Sequence, residues 1–367
     1  MDSARRPRLS PAIADVRRAV RASLVEPASV VEPGSLVERS RDQIERSRDV
    51  AETAPLILVA LSGGPDSLAL AAATAFEAQR AGLRAGAVIV DHGLQEGSAD
   101  VAARAAEAAT SIGLDPVVVR RVTVDGSGGP EAAARDARYA ALAAVAAETG
   151  ATAVLLGHTL DDQAETVLLG LARGSGAVSL QGMDAASGIY RRPLLGIRRA
   201  TTEQFCVDSG LEPWHDPHNL DQSFTRVRVR TSILPMLEAE LGPGIADALS
   251  RTADQLREDS DALDHFAEEM AEDFAQIVEA GIALPVSALA AQPAALRQRL
   301  IRLVVASEFH LSLSRTQTLE VARLVTDWHG QKPLDLPGVR VERRSGLIVF
   351  AATTVGELTG QDPVVEH

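Results

Sequence analysis

The sequence predicts an α/β protein built on a doubly wound parallel sheet, followed by a mainly helical region that ends in a small sheet. Three observations carry that prediction. Apolar runs alternate with Ala-rich stretches from Leu56 onward, polar glycine-containing segments fall where those runs end, and after about residue 220 long amphipathic stretches take over. A length of 367 residues suits two domains with a small third piece.

Taken in order, Ser10-Pro11 reads as an N-cap with Pro at the first helical position. It opens a helix to about Leu24 with Ile13, Val16, Val20 and Leu24 on one face, to be packed on the first domain. Between Val25 and Val50 the text nearly repeats itself, Val-Glu-Pro-Ala-Ser and Val-Glu-Pro-Gly-Ser, then Glu-Arg-Ser-Arg-Asp twice, and reads as a solvated insert. The unbroken run Leu56 to Leu61 fits a strand buried on both faces, and Ser67 to Ala81 favours helix. Between them lies Ser62-Gly63-Gly64-Pro65-Asp66-Ser67. Its glycines let backbone N–H groups turn toward a ligand, and its end sits at a helix N-terminus, where the dipole favours an anion. This is a phosphate cradle, but without the Gly-Lys-Ser/Thr ending of a Walker loop or the third spaced glycine of a dinucleotide fingerprint.

Further strands are expected near Ala87 to Asp91, Pro116 to Val122 and Ala153 to Leu156, with helices between them. In such a sheet ligands sit at the carboxyl ends of the strands, and three polar stretches fall there: the loop at Ser62, Val90-Asp-His-Gly-Leu94, and Gly157 to Thr166. In the third, His158 follows a strand, Asp161 or Asp162 can cap the next helix, and Asp162 and Glu165 share a helix face at i, i+3. Such a set could coordinate Mg²⁺, hold an ammonium or accept a proton from an amine; a capped helix start with solvated acids is the plain alternative. Glu131, Arg135 and Arg138 read equally well as a surface i, i+4 pair and a spare arginine.

Arg173-Gly-Ser-Gly176 ends a helix, and Tyr190 to Leu195 reads as an edge strand. After the polar loop Trp214 to Asn219, Arg226, Arg228 and Arg230 alternate before Leu234-Pro235, with Arg226 and Arg230 on one helical face. Three arginines so close in an acidic protein point to phosphate contact, with ion pairs to Asp216 or Asp221 as the alternative. Gly244 to Gly281 reads as one amphipathic helix burying Leu249, Ala253, Leu256, Leu263, Phe266, Met270, Phe274 and Ile277. A helical pair near 293–307 and 314–328 follows, then short strands around 334–336, 340–343 and 347–351.

Composition narrows the chemistry. A formal charge of −14 opposes general nucleic-acid affinity, so any such partner must meet a local basic surface. Cys206 is the only cysteine in the sequence, which excludes an intrachain disulfide, a Cys-x-x-Cys pair and multi-cysteine metal sites. The apolar runs are short and interrupted by charge, so no membrane segment is expected and a cytoplasmic protein is the default.

The whole set of motifs resembles the tRNA(Ile)-lysidine synthase family of pyrophosphate-loop enzymes, over roughly residues 56 to 237. The matching residues, in the family's order, are Ser62 to Ser67, Val90 to Leu94, Glu131 with Ala134-Arg135 and Arg138-Tyr139, the His158/Asp161-Asp162/Glu165-Thr166 block, Arg173 to Gly176, Arg192-Pro-Leu-Leu195, Asp216-Pro217 with Asn219, and the arginine run. Gln95 stands where the family usually has Arg, and Val227 where it usually has Asn. The resemblance implies a PP-loop (adenine-nucleotide alpha-hydrolase type) catalytic domain over 51–220, after an N-terminal helix and insert over 1–50. A mainly helical tRNA-binding region with a small sheet would cover 221–352, and a polar tail 353–367. It implies a ligase that uses ATP and Mg²⁺ to join free L-lysine to C2 of the wobble cytidine in the CAU-anticodon isoleucine tRNA. ATP would be held by Ser62, Gly63, Gly64, Pro65, Asp66 and Ser67. Catalysis would fall to Asp66 (also the metal-side carboxylate), His158, Asp162 and Glu165, and tRNA or phosphate contact to Arg226, Arg228, Arg230, Arg135 and Arg138. Another PP-loop enzyme, such as a tRNA thiolase or an amidating synthetase, and a non-catalytic ATP-binding module are the competing readings. Oligomeric state stays open, a homodimer among the options.

Overall fold

The computed structural model describes residues 10–25, 54–93, 97–123, 130–174, 176–216, 219 and 221–353. Residues 26–50 of the expected insert, Leu94, Gln95, Pro217, the Glu131 side chain and the tail beyond residue 353 lie outside what is described. The described chain forms two compact units that divide between Asp254 and Gln255.

The first unit opens with helix α1 (Pro11–Val25) and continues as β1 (Leu56–Ala60), α2 (Pro65–Arg80), β2 (Arg84–Asp91), α3 (Ser98–Ile112), β3 (Val117–Arg121), α4 (Pro130–Thr149), β4 (Ala153–Leu155) and α5 (Leu160–Ala172). A short helix α6 (Ala177–Leu180), the two-residue strands β5 (Ala186–Ser187) and β6 (Tyr190–Arg191) and helix α7 (Arg199–Asp208) follow. Strand order is β3-β2-β1-β4-β6-β5, parallel except for the β5/β6 pair. The expected edge strand at Tyr190 to Leu195 is thus shorter, and β5 takes the edge. Pro193 lacks an N–H to donate, which fits the strand ending before it.

Burial explains why β1 is apolar throughout. Ile57 and Val59 face one core together with Leu68, Leu70, Ile89 and Leu155, while Leu56 and Leu58 face another with Val88, Leu142, Val145 and Val154. Both faces are covered, and each such side chain contributes roughly 1.5–3 kcal/mol by leaving water. Helix α1 seals the first core through Val16 and Val20, packing on α2 and α7, and Arg17 and Arg21 pair with the buried Glu77 at 2.7 and 2.8 Å.

The chain runs β1, β2, β3 outward, then returns to lay β4 on the other side of β1. That reversal opens a crevice at the carboxyl ends of β1 and β4. The arginine run forms α8 (Thr225–Arg228), a π turn at Val229–Ile233 and α9 (Leu234–Leu241), before α10 (Ile245–Phe274).

The second unit departs from the expected continuous helix to Gly281. Helix α10 stops at Phe274, and β7 (Gln276–Val278) and β8 (Gly281–Pro285) make a hairpin. Ile277, expected on the buried face, is 94% exposed on that edge strand. It kept helical phase with Phe274, so periodicity alone could not separate the two. Helices α11 (Val286–Ala291), α12 (Ala294–Phe309) and α13 (Arg315–Thr326) and strands β9 (Leu334–Leu336), β10 (Val339–Arg344) and β11 (Leu347–Ala352) complete an antiparallel sheet of order β7-β8-β11-β10-β9. Its core gathers Leu284, Leu300, Ile301, Val305, Leu324, Val341 and Phe350. No described helix is long and apolar enough to cross a membrane.

Candidate active site

The phosphate loop is shaped by two close approaches. Gly63 lies at φ +83°, where a side chain would be strained, and its carbonyl accepts the Trp214 amide at 2.9 Å. Gly157, just past β4, passes so near the start of α2 that a Cβ would meet the Ser67 nitrogen at 3.1 Å. Within the loop the Ser67 hydroxyl accepts the Ser62 amide at 3.2 Å and donates to the Gly64 carbonyl at 3.0 Å. Gly64 caps α2 and Pro65 occupies its first turn with Asp66. The unpaired amides of that turn and the helix dipole make the loop attractive to an anion.

Across the crevice, α5 begins with a cap different from the one expected. Thr159, not Asp161 or Asp162, is the N-cap, and Asp162 at the third helical position returns the bond, its Oδ2 accepting the Thr159 amide at 2.8 Å. An aspartate at that position can reach back to the cap's own N–H, which one at the cap cannot do. Asp161 serves a different helix, accepting the Arg199 amide at the start of α7 at 2.7 Å.

Three carboxylates and three guanidinium groups then interlock. Glu165 is fully buried and accepts Arg226 Nε at 2.9 Å, Arg230 Nε at 2.7 Å, Arg230 Nη2 at 3.0 Å and Arg199 Nη1 at 3.4 Å. Asp162 Oδ1 accepts Arg199 Nη2 at 2.8 Å and Arg230 Nη2 at 3.1 Å, and its Oδ2 accepts the Thr159 hydroxyl at 2.8 Å besides the Thr159 amide. Arg199 Nε also reaches Asp66 Oδ2 at 3.4 Å, and the Thr202 hydroxyl donates to Asp66 Oδ1. A carboxylate offers about four acceptor positions. Those of Glu165 and Asp162 are therefore filled, and an incoming ammonium must take the place of a guanidinium contact.

The charges follow from these contacts. Burial works to raise Asp162, but Arg199, the Thr159 amide, Arg230 and Arg226 outweigh it and hold its carboxyl below the usual range. Burial raises Asp66 and wins there, against Thr202 and Arg199 and with help from the Asp162 charge. Burial drives His158 down to about 4, against the pull of Asp162 and with repulsion from Arg138, Arg192 and Arg226. His158 is therefore a neutral imidazole, and its buried Nδ1 has no hydrogen-bond partner among the described residues. Arg199 is held more firmly protonated than a free arginine, since Asp162, Asp66, Glu165 and Asp161 outweigh its burial.

The structure brings Arg226 and Arg230 together on Glu165, with the π turn between the two regular segments, and directs Arg228 outward onto the Gln222 and Ser223 carbonyls. Arg226 pairs with Glu165, and Arg230 with both Glu165 and Asp162. Val227 is buried. Arg135 is exposed and Arg138 half-buried, their guanidinium carbons 5.1 and 5.7 Å from the Tyr139 ring centre. Arg192 is buried and donates to the Asp184 carbonyl and Tyr139 hydroxyl. Arg199, Thr202 and Trp214 were not singled out as site residues by the sequence. One signal was available for Arg199: consecutive arginines opening a helix oppose its dipole unless carboxylates face them.

Among the described residues no group of three His, Cys, Asp or Glu side chains could hold a metal, and Asp66, in the phosphate loop itself, already accepts bonds from Thr202 and Arg199. Magnesium is commonly held by one or two carboxylates plus substrate phosphates.

Comparison with known proteins agrees with this architecture. The PP-loop domain family model matches residues 36–237, and the TilS substrate binding domain model matches residues 284–347. The chain is 64% identical to the tRNA(Ile)-lysidine synthase of Leifsonia xyli, over 80% of this chain and 89% of that one. It is 51% identical to that of Thermobifida fusca, covering 85% and 96%, and 52% identical to that of Streptomyces coelicolor, covering 92% and 97%. Among solved structures, a U34-tRNA thiolase from Methanococcus maripaludis aligns with TM-score 0.51 at 20% identity over 67% of this chain and 80% of that one, a likeness of fold. With both domain matches in order and relatives of this identity matched over most of their length, the chain belongs to the tRNA(Ile)-lysidine synthase family.

Proposed function

We propose that the protein is an ATP-dependent ligase that joins the ε-amine of free lysine to C2 of the wobble cytidine in a CAU-anticodon isoleucine tRNA. One observation carries the reading beyond family membership: the phosphate loop after β1 and the carboxylate pair after β4 share one crevice and are bridged by Arg199. An anion cradle and a cation-binding acidic pair side by side are what nucleotide activation followed by amine attack requires.

In this reading the cytidine O2 attacks the ATP α-phosphorus in line, and pyrophosphate leaves toward the loop N–H groups between Gly63 and Ser67, Pro65 having none. Magnesium would neutralise polyphosphate charge, with Asp66 as its protein carboxylate. The lysine amine, with a pKa of about 10.4 in water, must then lose a proton to solvent before its nitrogen bonds to C2, and the C2–O2 bond breaks as AMP leaves with that oxygen. Asp162 and Glu165 are the groups that would receive its ammonium, by exchange with an arginine. His158 at about 4 is too weak a base for that proton and serves as a neutral hydrogen-bonding group. Arg138, half-buried and lowered by burial, and the outward Arg228 and Arg135 are the cations left for nucleic-acid or phosphate oxygens, more than Arg226 and Arg230. The cytidine must be splayed from its loop to reach this depth. A cytoplasmic location follows from the substrates.

A thiolase reading is disfavoured by chemistry. The single cysteine, Cys206, is buried and its thiol is pushed up to about 11 by burial and the Asp66 charge, and one thiolate cannot hold a four-iron cluster. The test is transfer of labelled lysine to isoleucine tRNA transcript by purified protein with ATP and Mg²⁺. Label in the isoleucine transcript and none in a methionine tRNA is expected; an unlabelled isoleucine transcript contradicts the proposal.

A further inference from the structure

Helix α7 packs on α1 and α2, and its first turn carries two side chains that reach one carboxylate. Arg199 Nε lies 3.4 Å from Asp66 Oδ2, and the Thr202 hydroxyl, fully buried, donates to Asp66 Oδ1. The same hydroxyl lies 2.7 Å from the Arg199 carbonyl, so its single proton is shared between backbone and carboxylate. The remaining nitrogens of Arg199 go to Asp162 and Glu165 at 2.8 and 3.4 Å. The turn is itself fixed, because Asp161 accepts the Arg199 amide and Arg198 pairs with Asp161 and Asp247 at 3.2 and 2.8 Å. The start of helix α7 thus holds a carboxylate from α2, Asp66, and three from α5, Asp161, Asp162 and Glu165. A threonine buried with its hydroxyl on a carboxylate, next to an arginine at the helix end that least favours one, is hard to explain by packing alone.

Resting on the functional reading above, we propose that Thr202 and Arg199 are positioning residues: both fix the Asp66 carboxylate for ATP, and Arg199 also holds it in register with the carboxylates that meet the amine. Neither side chain needs to touch the reacting atoms. Partners one shell out from a ligand-binding group typically change affinity or activity 10–100-fold when removed.

The two residues predict different kinetic patterns. Thr202→Val keeps the shape of the side chain and removes only the hydroxyl, so KM for ATP should rise about tenfold while KM for lysine stays unchanged. Arg199→Gln should raise both KM values, and Arg199→Lys, which keeps the charge but not the fork, should recover part of the loss. The deciding experiment is a double-mutant cycle on ATP binding, read by calorimetry on the full chain without tRNA, for Thr202→Val, Asp66→Asn and the pair. If Thr202 acts through Asp66, its substitution has no further effect once Asp66→Asn is present. An unchanged ATP affinity in Thr202→Val, or the same loss with Asp66 already replaced, overturns the proposal, and the cycle stands even if Arg199→Gln fails to fold. Wild-type protein that binds ATP yet transfers no lysine refutes the functional reading instead, and leaves the cycle to decide the role of Thr202.

Discussion

Glu165→Gln tests whether the carboxylate–guanidinium lattice exists as described. The substitution changes one oxygen to an NH₂ group and removes one negative charge. Glu165 accepts four hydrogen bonds from Arg226, Arg230 and Arg199, two at each oxygen. Whichever way the amide turns, two of the four become donor facing donor, and a buried positive charge is left uncompensated. Breaking one side of a buried ion pair costs about 3–5 kcal/mol. Arg226 and Arg230 keep some water contact, at 29% and 27% side-chain exposure, so about 3 kcal/mol is the better figure here. For a unit of this size that is a fall in melting temperature of roughly 6–12 °C. Urea denaturation and a thermal melt would read it, and Glu165→Gln combined with Arg230→Gln, which removes one charge of each sign, should recover part of the loss. A loss below about 0.5 kcal/mol in Glu165→Gln, the size of an ordinary surface substitution, refutes the lattice.

Other outcomes follow from the same contacts. Glu77 is held at about 2, chiefly by its bond to Arg21 against its burial, with Arg17 adding to it; this lies below the ordinary 4.5. Its contribution to docking α1 is therefore complete above about pH 4.5 and lost as the pH falls toward 2. At neutral pH, Glu77→Gln should raise amide hydrogen exchange across residues 11–25, and unchanged exchange there contradicts the pairing. His158 should titrate near 4 in an NMR pH series, whereas a midpoint at the ordinary 6.5 would mean the imidazole is solvated. Gly157→Ala should push the start of α2 away, since its Cβ would sit 3.1 Å from the Ser67 nitrogen, and weaken ATP binding measured by calorimetry; unchanged affinity would mean the backbone gives there at no cost.

Much of this site is written locally. The loop at Ser62 to Ser67 combines glycines, a proline and a helix start within six residues, and Asp162 and Glu165 follow a strand end at helical spacing, so both halves are visible in the text. What joins them is not. Arg199 acts from a helix that only the fold brings against Asp66, and nothing within a few residues of it names its partners. The roles of Arg226 and Arg230 turn on the same limit: their spacing places them on one face, but only tertiary packing decides that the face meets a buried glutamate instead of solvent. In the second unit, Ile277 misled because an edge-strand residue three positions past the end of a helix can keep helical phase. Thr159 shows the opposite case, where capping chemistry alone would have chosen it over Asp161 or Asp162 had the aspartate at the third position been weighed as the returning partner.

ATP activation makes one bond whose fate can be followed. If the cytidine O2 attacks the α-phosphorus and lysine then displaces AMP from C2, the oxygen that began on the base must leave with AMP. With an isoleucine tRNA carrying ¹⁸O at C2 of the wobble cytidine, plus ATP and lysine, mass spectrometry of the released AMP reads this directly. The AMP should carry the heavy oxygen, one for each lysine joined; unlabelled AMP accompanying lysine transfer would contradict activation at O2.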